Sequence, residues 1–496
     1  MRMRIRHIAV SSIMALAATL VLAPALSDSS DADTHGIVGG LREQTAVYHK
    51  SKAGTMPDFV SDPTWPAPLP HDWLLGQIGG LYVDRHDHIW VYNRPRTLTN
   101  DESGLEPAVP GAFDAKGEPI NGLGFVRANG FGADCCMSAP SVLEFDASGK
   151  LLRAWGGPSD PGFIGGRCKA EDGCVWPANE HGIYVDSHDN VWLAGNAAAP
   201  APGSAVDSSP WAAKRDGGDG LILKFDMNGN FKLRIGGSPK GPDSNNKDGG
   251  YNGTPLLYRA ADMDVDPSTN RLYVADGYGN RRVLIVDADS GKYIGHFGAY
   301  GNSPVDDAAA AAQGLWSDAQ PKGDTKPAFF RNPVHCARIA QDGKIYVCDR
   351  GNNRIQVFDI RDPSLGKPCS NPNGEAGKCG FVSERWIRSK TYSYPVMSGT
   401  VSSIMFSPDK AQSCLYASDS TNETIYVLNR STLEELGRFG HPGRMTGRFH
   451  WLHQIGVDSH GSVYTSEADT GKRIQKFIRY GAATCTGHGS EAVGDP

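Results

Sequence analysis

"HGIYVDSHDNVWLAGN", residues 181 to 196, alternates apolar and polar residues on both sides of an Asp-Ser-His-Asp turn, the pattern of an antiparallel hairpin. A strand entering a core normally opens on an apolar side chain, yet this one opens on His181. Five other stretches share its alternation and polar turn: "GGLYVDRHDHIWVYNR" from Gly79, "ADMDVDPSTNRLYVADGYGN" from Ala261, "HCARIAQDGKIYVCDRGNNR" from His335, "SSIMFSPDKAQSCLYASDS" from Ser402 and "HQIGVDSHGSVYTSEADTGKR" from His453. Six copies of one hairpin mark a repeat architecture.

Most copies are followed by a second hairpin ending near glycine: "SVLEFDASGKLLRAWGG" from Ser141, "LILKFDMNGNFKLRIGG" from Leu221, "RVLIVDADSGKYIGHFG" from Arg282 and "IYVLNRSTLEELGRFG" from Ile425. Two hairpins make a four-stranded blade, so the chain is expected to be all-β, a six-bladed β-propeller with long loop insertions. The last repeat offers only "RIQKFIRY" as its third strand, and a segment near "TAVYHK", residues 45 to 50, is expected to supply the missing outer strand and close the ring. Insertions at 97–140, 158–179, 197–220, 238–258, 302–333 and 363–400 are too long for hairpin turns and are expected to build a binding face. Helix should be minor, with "DDAAAAAQGLW" from Asp306 its best candidate because of the alanine run.

Residues 1–26, "MRMRIRHIAVSSIMALAATLVLAPAL", show a basic start, an apolar run and an Ala23-Pro24-Ala25 motif, as in a secretory signal cleaved after Ala25. The expected organisation is a signal peptide at 1–25, an N-terminal segment carrying the closing strand at 26–75, the propeller at 76–482 and a tail at 483–496. The mature protein is expected to be secreted or periplasmic, with no membrane span. The 496 residues carry a net charge of −6 with 21% charged residues, so no basic footprint for nucleic acid exists and the expected partner is a small molecule or peptide. Sixty glycines and 32 prolines are scattered rather than clustered, which fits many tight turns. All ten cysteines lie beyond the signal, where disulfides can form. Cys168 with Cys174 and Cys369 with Cys379 are expected as local clips, while Cys135-Cys136 bonds either within itself or to other partners. The absence of a CxxC pair argues against a thiolate metal site.

Aligned on their alternation, the six repeats place Gly79, His181, Ala261, His335, Ser402 and His453 at one depth of the innermost strands. Innermost strands line the central channel of a propeller, so the three histidines of alternate blades converge while small residues between them leave room. Three imidazoles suit zinc with an open fourth position. One such histidine would read as a buried residue bonded to a carbonyl; three in strict alternation read as a metal site. Arg94 after "WVYN", Tyr278 in "ADGYGN" and Arg350 in "CDRGNN" follow second strands, which places them at one mouth of the channel. Two guanidiniums and a phenol beside a metal suit an anionic substrate with one proton to move.

Over roughly residues 76–480 the chain resembles NHL-repeat propellers, and specifically the peptidyl-α-hydroxyglycine α-amidating lyases. The resemblance lies in "GQIGGLYVDRHDHIWVYNR", "EHGIYVDSHDNVW", "DVDPSTNRLYVADGYGNRRV", "PVHCARIAQDGKIYVCDRGNNRIQVF" and "LHQIGVDSHGSVYTSEADTGKRIQKF". It implies zinc on His181, His335 and His453, Tyr278 as the catalytic base, Arg94 and Arg350 as the functional arginines, and cleavage of a carbinolamide to an amide and glyoxylate. It further implies a structural calcium held by the backbone carbonyls of Leu81 and Ile183 and by an aspartate where this chain has the neutral, weaker ligand Gln454. Trp451 stands where the family usually has methionine. No copper monooxygenase domain accompanies the propeller, so a separate monooxygenase is expected to supply the substrate. Two other classes fit a propeller: a different metal-dependent hydrolase or lactonase, which usually holds calcium through carboxylates and asparagine, and a non-catalytic NHL scaffold.

Overall fold

The structure is a computed structural model and describes residues 49–51, 56–99, 102, 106–107, 125–126, 136–199, 217–305, 327–387, 399–480 and 485. Six antiparallel sheets, five of four strands and one of five, follow one another around a central channel. Their innermost strands are Gln77–Val83, Glu180–Val185, Asp262–Asp266, Val334–Ile339, Val401–Phe406 and Leu452–Val457. These are blades one to six. Among the described residues the only helical elements are three-residue 3-10 turns, and no helix is long and apolar enough to cross a membrane.

The aspartates of the recurring turn explain why each hairpin forms. In blade two, Asp186 accepts the backbone N–H groups of His188 and Asn190 at 2.9 and 3.0 Å, and its second oxygen accepts the indole N–H of Trp192 at 2.9 Å. Asp84 of blade one does the same for His86, His88 and Trp90. In blade six, Asp458 binds His460 and Ser462 and the hydroxyl of Tyr464. A short carboxylate bonding its own backbone two and four residues on fixes the turn, and the bonded aromatic ties that turn to the buried strand behind it. Between blades, aromatic and aliphatic side chains fill the gaps, as where Trp90, Tyr92, Trp155, Phe163 and Trp176 pack with Ile183 and Leu193.

Ring closure differs from the expectation drawn on residues 45–50. Blade six receives its outer strand from Asp58–Asp62, paired antiparallel with Arg473–Tyr480. His49–Ser51 instead adds a fifth strand to blade five, against Glu435–Phe439. The closing strand is selected by what it buries: Phe59 is 1% exposed and its ring stacks 4.3 Å from Phe439, a contact between blades five and six. The 363–400 insertion is also corrected, since Phe381–Trp386 within it is the outer strand of blade four. A loop clipped by Cys369–Cys379 delays that strand, which hides it from a search for uninterrupted hairpins.

Cys168–Cys174 forms as expected, and two pairs were not anticipated: Cys336–Cys348 across the first hairpin of blade four, and Cys414–Cys485. With no free cysteine among the described residues, this pattern points to an oxidising, extracellular environment. Cys136 is disulfide-bonded. The signal segment, Cys135 and the alanine run from Asp306 lie outside the described residues.

Candidate metal centre

The innermost strands carry a local irregularity at the depth of the histidines. Pairing register shifts between Glu180 and Ile183, between Val334 and Cys336 and between Leu452 and Ile455, around His181, His335 and His453. The same shift occurs in blades one and five, whereas blade three runs in regular register. A bulge turns a side chain away from the pleat, and here it turns the histidines toward the axis.

The three imidazoles are buried, at 0, 0 and 5% exposure, and their ring centroids form a nearly equilateral triangle with sides of 5.1, 4.9 and 5.0 Å. Nitrogens from all three lie within 4.8 Å of one another, and the Nε2 atoms of His335 and His453 are 3.2 Å apart. Two nitrogens bound at 2.0–2.1 Å to one tetrahedral zinc lie about 3.3–3.4 Å apart.

The outer nitrogens explain why small residues alternate with histidines. Nδ1 of His181 lies 2.8 Å from the carbonyl of Ala261, and Nδ1 of His335 bonds the carbonyl of Ser402. Each partner sits at the matching position of the next blade. His453 lies against the carbonyls of Ile78 and Gly79 on blade one, although its Nδ1 makes no well-formed hydrogen bond among the described residues. A carbonyl only accepts, so Nδ1 of His181 and of His335 carries the proton and Nε2 presents a lone pair to the axis. Gly79 is required for close approach, because a Cβ there would stand 2.2 Å from the carbonyl oxygen of Glu180.

Burial, more than any other effect, pushes all three imidazoles well below the ordinary histidine range. Arg350 adds to this at His335, and Arg94 and Arg350 both add to it at His181 and at His453. The rings are therefore neutral, the form that ligates metal. Converging lone pairs in a buried space with too few hydrogens to bridge them are what a cation resolves, so the donor set fits zinc.

Tyr278 follows the second strand of blade three, and its hydroxyl lies 3.1 Å from Nε2 of His181 and 2.9 Å from Nε2 of His335. Its single hydrogen serves one of the two. Gly277 lets this loop lie against blade four, since a Cβ there would fall 2.0 Å from the carbonyl of Val334, next to His335. Arg94 ends the second strand of blade one, with Nε on the Glu180 carbonyl at 2.6 Å and one amino group on Gln77 at 2.9 Å. Arg350 places Nε on the Gly399 carbonyl, one amino group on Ser420 at 2.8 Å and the other 3.5 Å from the Tyr278 hydroxyl. All six side chains named for the site thus lie together at one end of the channel.

Two participants had escaped the repeat alignment. Glu180, 1% exposed, accepts hydrogen bonds from Ser141, Trp176 and Arg96 while its carbonyl holds Arg94. Its place beside His181 was the available signal. Arg259 lies over the Tyr278 ring with Cζ 5.6 Å from the centroid, and no repeat position announces it.

Deeper in the channel, the residues present do not fit calcium. Gln454 spends its side-chain oxygen on the backbone N–H of Leu81 at 3.0 Å. The cation at this level is Arg338 of blade four, 2% exposed. Its guanidinium donates to the carbonyl of Met263, the blade-three counterpart of Leu81 and Ile183, and to Asp262 at 2.9 Å. It also lies 5.5 and 6.0 Å from the ring centroids of Tyr82 and Tyr184, on blades one and two. A side-chain cation thus enters the channel at the Met263 carbonyl, one blade on from Ile183.

Comparison with known proteins follows the same lines. Residues 334–358, which include His335 and Arg350, match the family model "NHL repeat". The chain is 27% identical over 207 residues to peptidyl-glycine alpha-amidating monooxygenase B of Xenopus laevis, covering 42% of this chain and 19% of that protein. It is 31% identical over 97 residues to monooxygenase A of the same species, covering 20% and 8%. It is 25% identical over 246 residues to NHL repeat-containing protein 3 of Mus musculus, covering 49% and 50%. The chain spans half or less of the length of each of these relatives. It is a six-bladed propeller of NHL type with homology to the amidating monooxygenases.

Proposed function

We propose that this propeller is a secreted, zinc-dependent carbon–nitrogen lyase that cleaves a carbinolamide, N–CH(OH)–COO⁻, to an amide and glyoxylate. The observation that carries the reading is the buried cluster in which the Nε2 atoms of His181, His335 and His453 and the hydroxyl of Tyr278 converge. His181, His335 and His453 would hold the metal. Zinc, if bound there, would supply Lewis acidity beside the substrate hydroxyl.

The remaining chemistry belongs to the chain. Tyr278, acting as the phenolate, takes the proton of the substrate hydroxyl and returns it to the amide nitrogen, so the C–N bond breaks as the C=O bond of glyoxylate forms. Arg94 and Arg350 hold positive charge against the phenol and the substrate anion through the transition state. Both are buried, at 7 and 3% exposure, where charge acts through little water. The substrate is then a peptide or small amide with an α-hydroxyglycine end.

The test is glyoxylate release from α-hydroxyhippurate by the zinc-loaded protein. Tyr278→Phe removes the proton carrier and is expected to lower turnover by about 10²–10⁴-fold with zinc content unchanged. Full activity in that variant, or no release by the wild type, would sink the assignment. Stoichiometric zinc without turnover of this compound would favour another metal-dependent hydrolase, and a protein without affinity for zinc would favour a binding scaffold.

A further inference from the structure

We propose that Arg259 is the residue that takes the carboxylate of the substrate, an inference that rests on the lyase reading above. The three guanidiniums around Tyr278 differ in what they have left to give. Arg350 has all three nitrogen atoms engaged by Gly399, Ser420 and the Tyr278 hydroxyl. Arg94 has two engaged, by Glu180 and Gln77. Arg259 has only Nε engaged, donating to the carbonyl of Asn196 at 2.8 Å, and its two terminal amino groups make no hydrogen bond among the described residues.

Those amino groups are the half of a guanidinium fork that fits a carboxylate through two parallel bonds. The side chain is half-buried, so an incoming anion can reach it. It lies over the face of the phenol whose edge carries the hydroxyl, with Cζ 5.6 Å from the ring centroid. A carboxylate held there would lie beside the same phenol whose hydroxyl meets Nε2 of His181 and of His335.

The backbone around Arg259 is built to hold this position. Its φ is +61°, in the left-handed region that a non-glycine residue occupies only where its surroundings fix it. Its N–H donates to the Asp219 carbonyl at 2.7 Å, and its own carbonyl accepts the N–H of Tyr278 at 3.1 Å. The carbonyl of Tyr258 accepts the N–H groups of Gly279 and Asn280. Arg259 and Tyr278 are thus locked to each other through main chain, and the anion subsite moves with the base.

Calorimetry on the zinc-loaded full chain tests this with hippurate, which carries the carboxylate but no hydroxyl to react, and with its neutral counterpart hippuramide. Arg259→Gln is expected to weaken hippurate at least tenfold and leave hippuramide within twofold. Arg259→Lys, which keeps the charge but loses the fork, should fall between. Arg350→Gln should weaken hippurate less than Arg259→Gln does. Equal hippurate affinity in Arg259→Gln and wild type, a larger loss in Arg350→Gln, or a wild type that binds the two ligands alike would overturn the proposal. Zinc content in each variant reports whether it has folded. Turnover of α-hydroxyhippurate is read in the same samples: its absence with hippurate selectivity intact would remove the lyase reaction and leave the carboxylate subsite standing.

Discussion

Replacing His335 by alanine should abolish high-affinity zinc binding, because it removes one of three converging nitrogens and the one closest to both Tyr278 and His453. Four-ligand structural zinc sites bind with about 10–16 kcal/mol, or roughly 3–4 kcal/mol per ligand, which corresponds to a 10²- to 10³-fold loss of affinity. The consequence can be read as heat stability. At a zinc concentration about 1,000 times the dissociation constant, binding stabilises the native protein by about 4.1 kcal/mol. A propeller running from Asp58 to Tyr480 unfolds with an entropy of roughly 0.9 kcal/mol/K at about 2.1 cal/mol/K per residue. Zinc should therefore raise the wild-type melting temperature by about 5 °C, and the same concentration should raise that of His335→Ala by less than about 2 °C. The assay is differential scanning calorimetry of chelator-stripped protein with and without zinc, alongside metal analysis. His188→Ala is the control, since His188 lies in the exposed turn of the same hairpin. A His335→Ala protein that gains as much from zinc as the wild type, or a wild type that gains nothing, would refute the three-histidine argument.

Other outcomes follow from the channel and the clips. Arg338→Met leaves Asp262 and Asp264 buried without their cation and should cost about 3–5 kcal/mol, or roughly 3–6 °C, while wild-type melting stays the same in calcium and in a calcium-selective chelator. Burial first, and the neighbouring Asp264 as well, push the Asp262 carboxyl up to about 7 against the opposing pull of Arg338. The folded state then keeps a proton that the unfolded chain releases near pH 4, so this group lowers stability as pH rises from about 4 to about 7. Asp262→Asn should flatten that slope in urea titrations at pH 5 and pH 7. The Cys414–Cys485 clip closes a segment of 71 residues and should contribute roughly 4 kcal/mol, against roughly 2 kcal/mol for Cys168–Cys174 with its separation of 6. Replacing each pair by alanines and comparing melting temperatures checks the order.

The parts of the molecule that were legible in the chain are those that repeat. Alternation around an aspartate turn is a local signal, present six times, and its recurrence exposes the histidine at one depth of alternate innermost strands. The two short cysteine loops were legible for the same reason, being local. The closing strand was not. Phe59 is chosen over the stretch at 45–50 by a stacking contact with Phe439, at the far end of the chain, and no periodicity encodes that partner. Blade four's outer strand was hidden by the loop placed before it, and Cys414–Cys485 joins residues with no common motif.

The amino-acid sequence by itself determined the blade count, the turn chemistry and the axial ring of histidines, because each follows from a pattern that neighbouring residues impose on one strand. Only the tertiary structure decided how those groups are used. It set the carbonyls of Ala261 and Ser402 behind His181 and His335, so that their lone pairs point inward. It brought Arg259 over Tyr278 and Arg338 into the axis beside Asp262. Arg259 and Tyr278 meet at the ends of one hairpin of blade three, and the other contacts join different blades, set by how the ring closes.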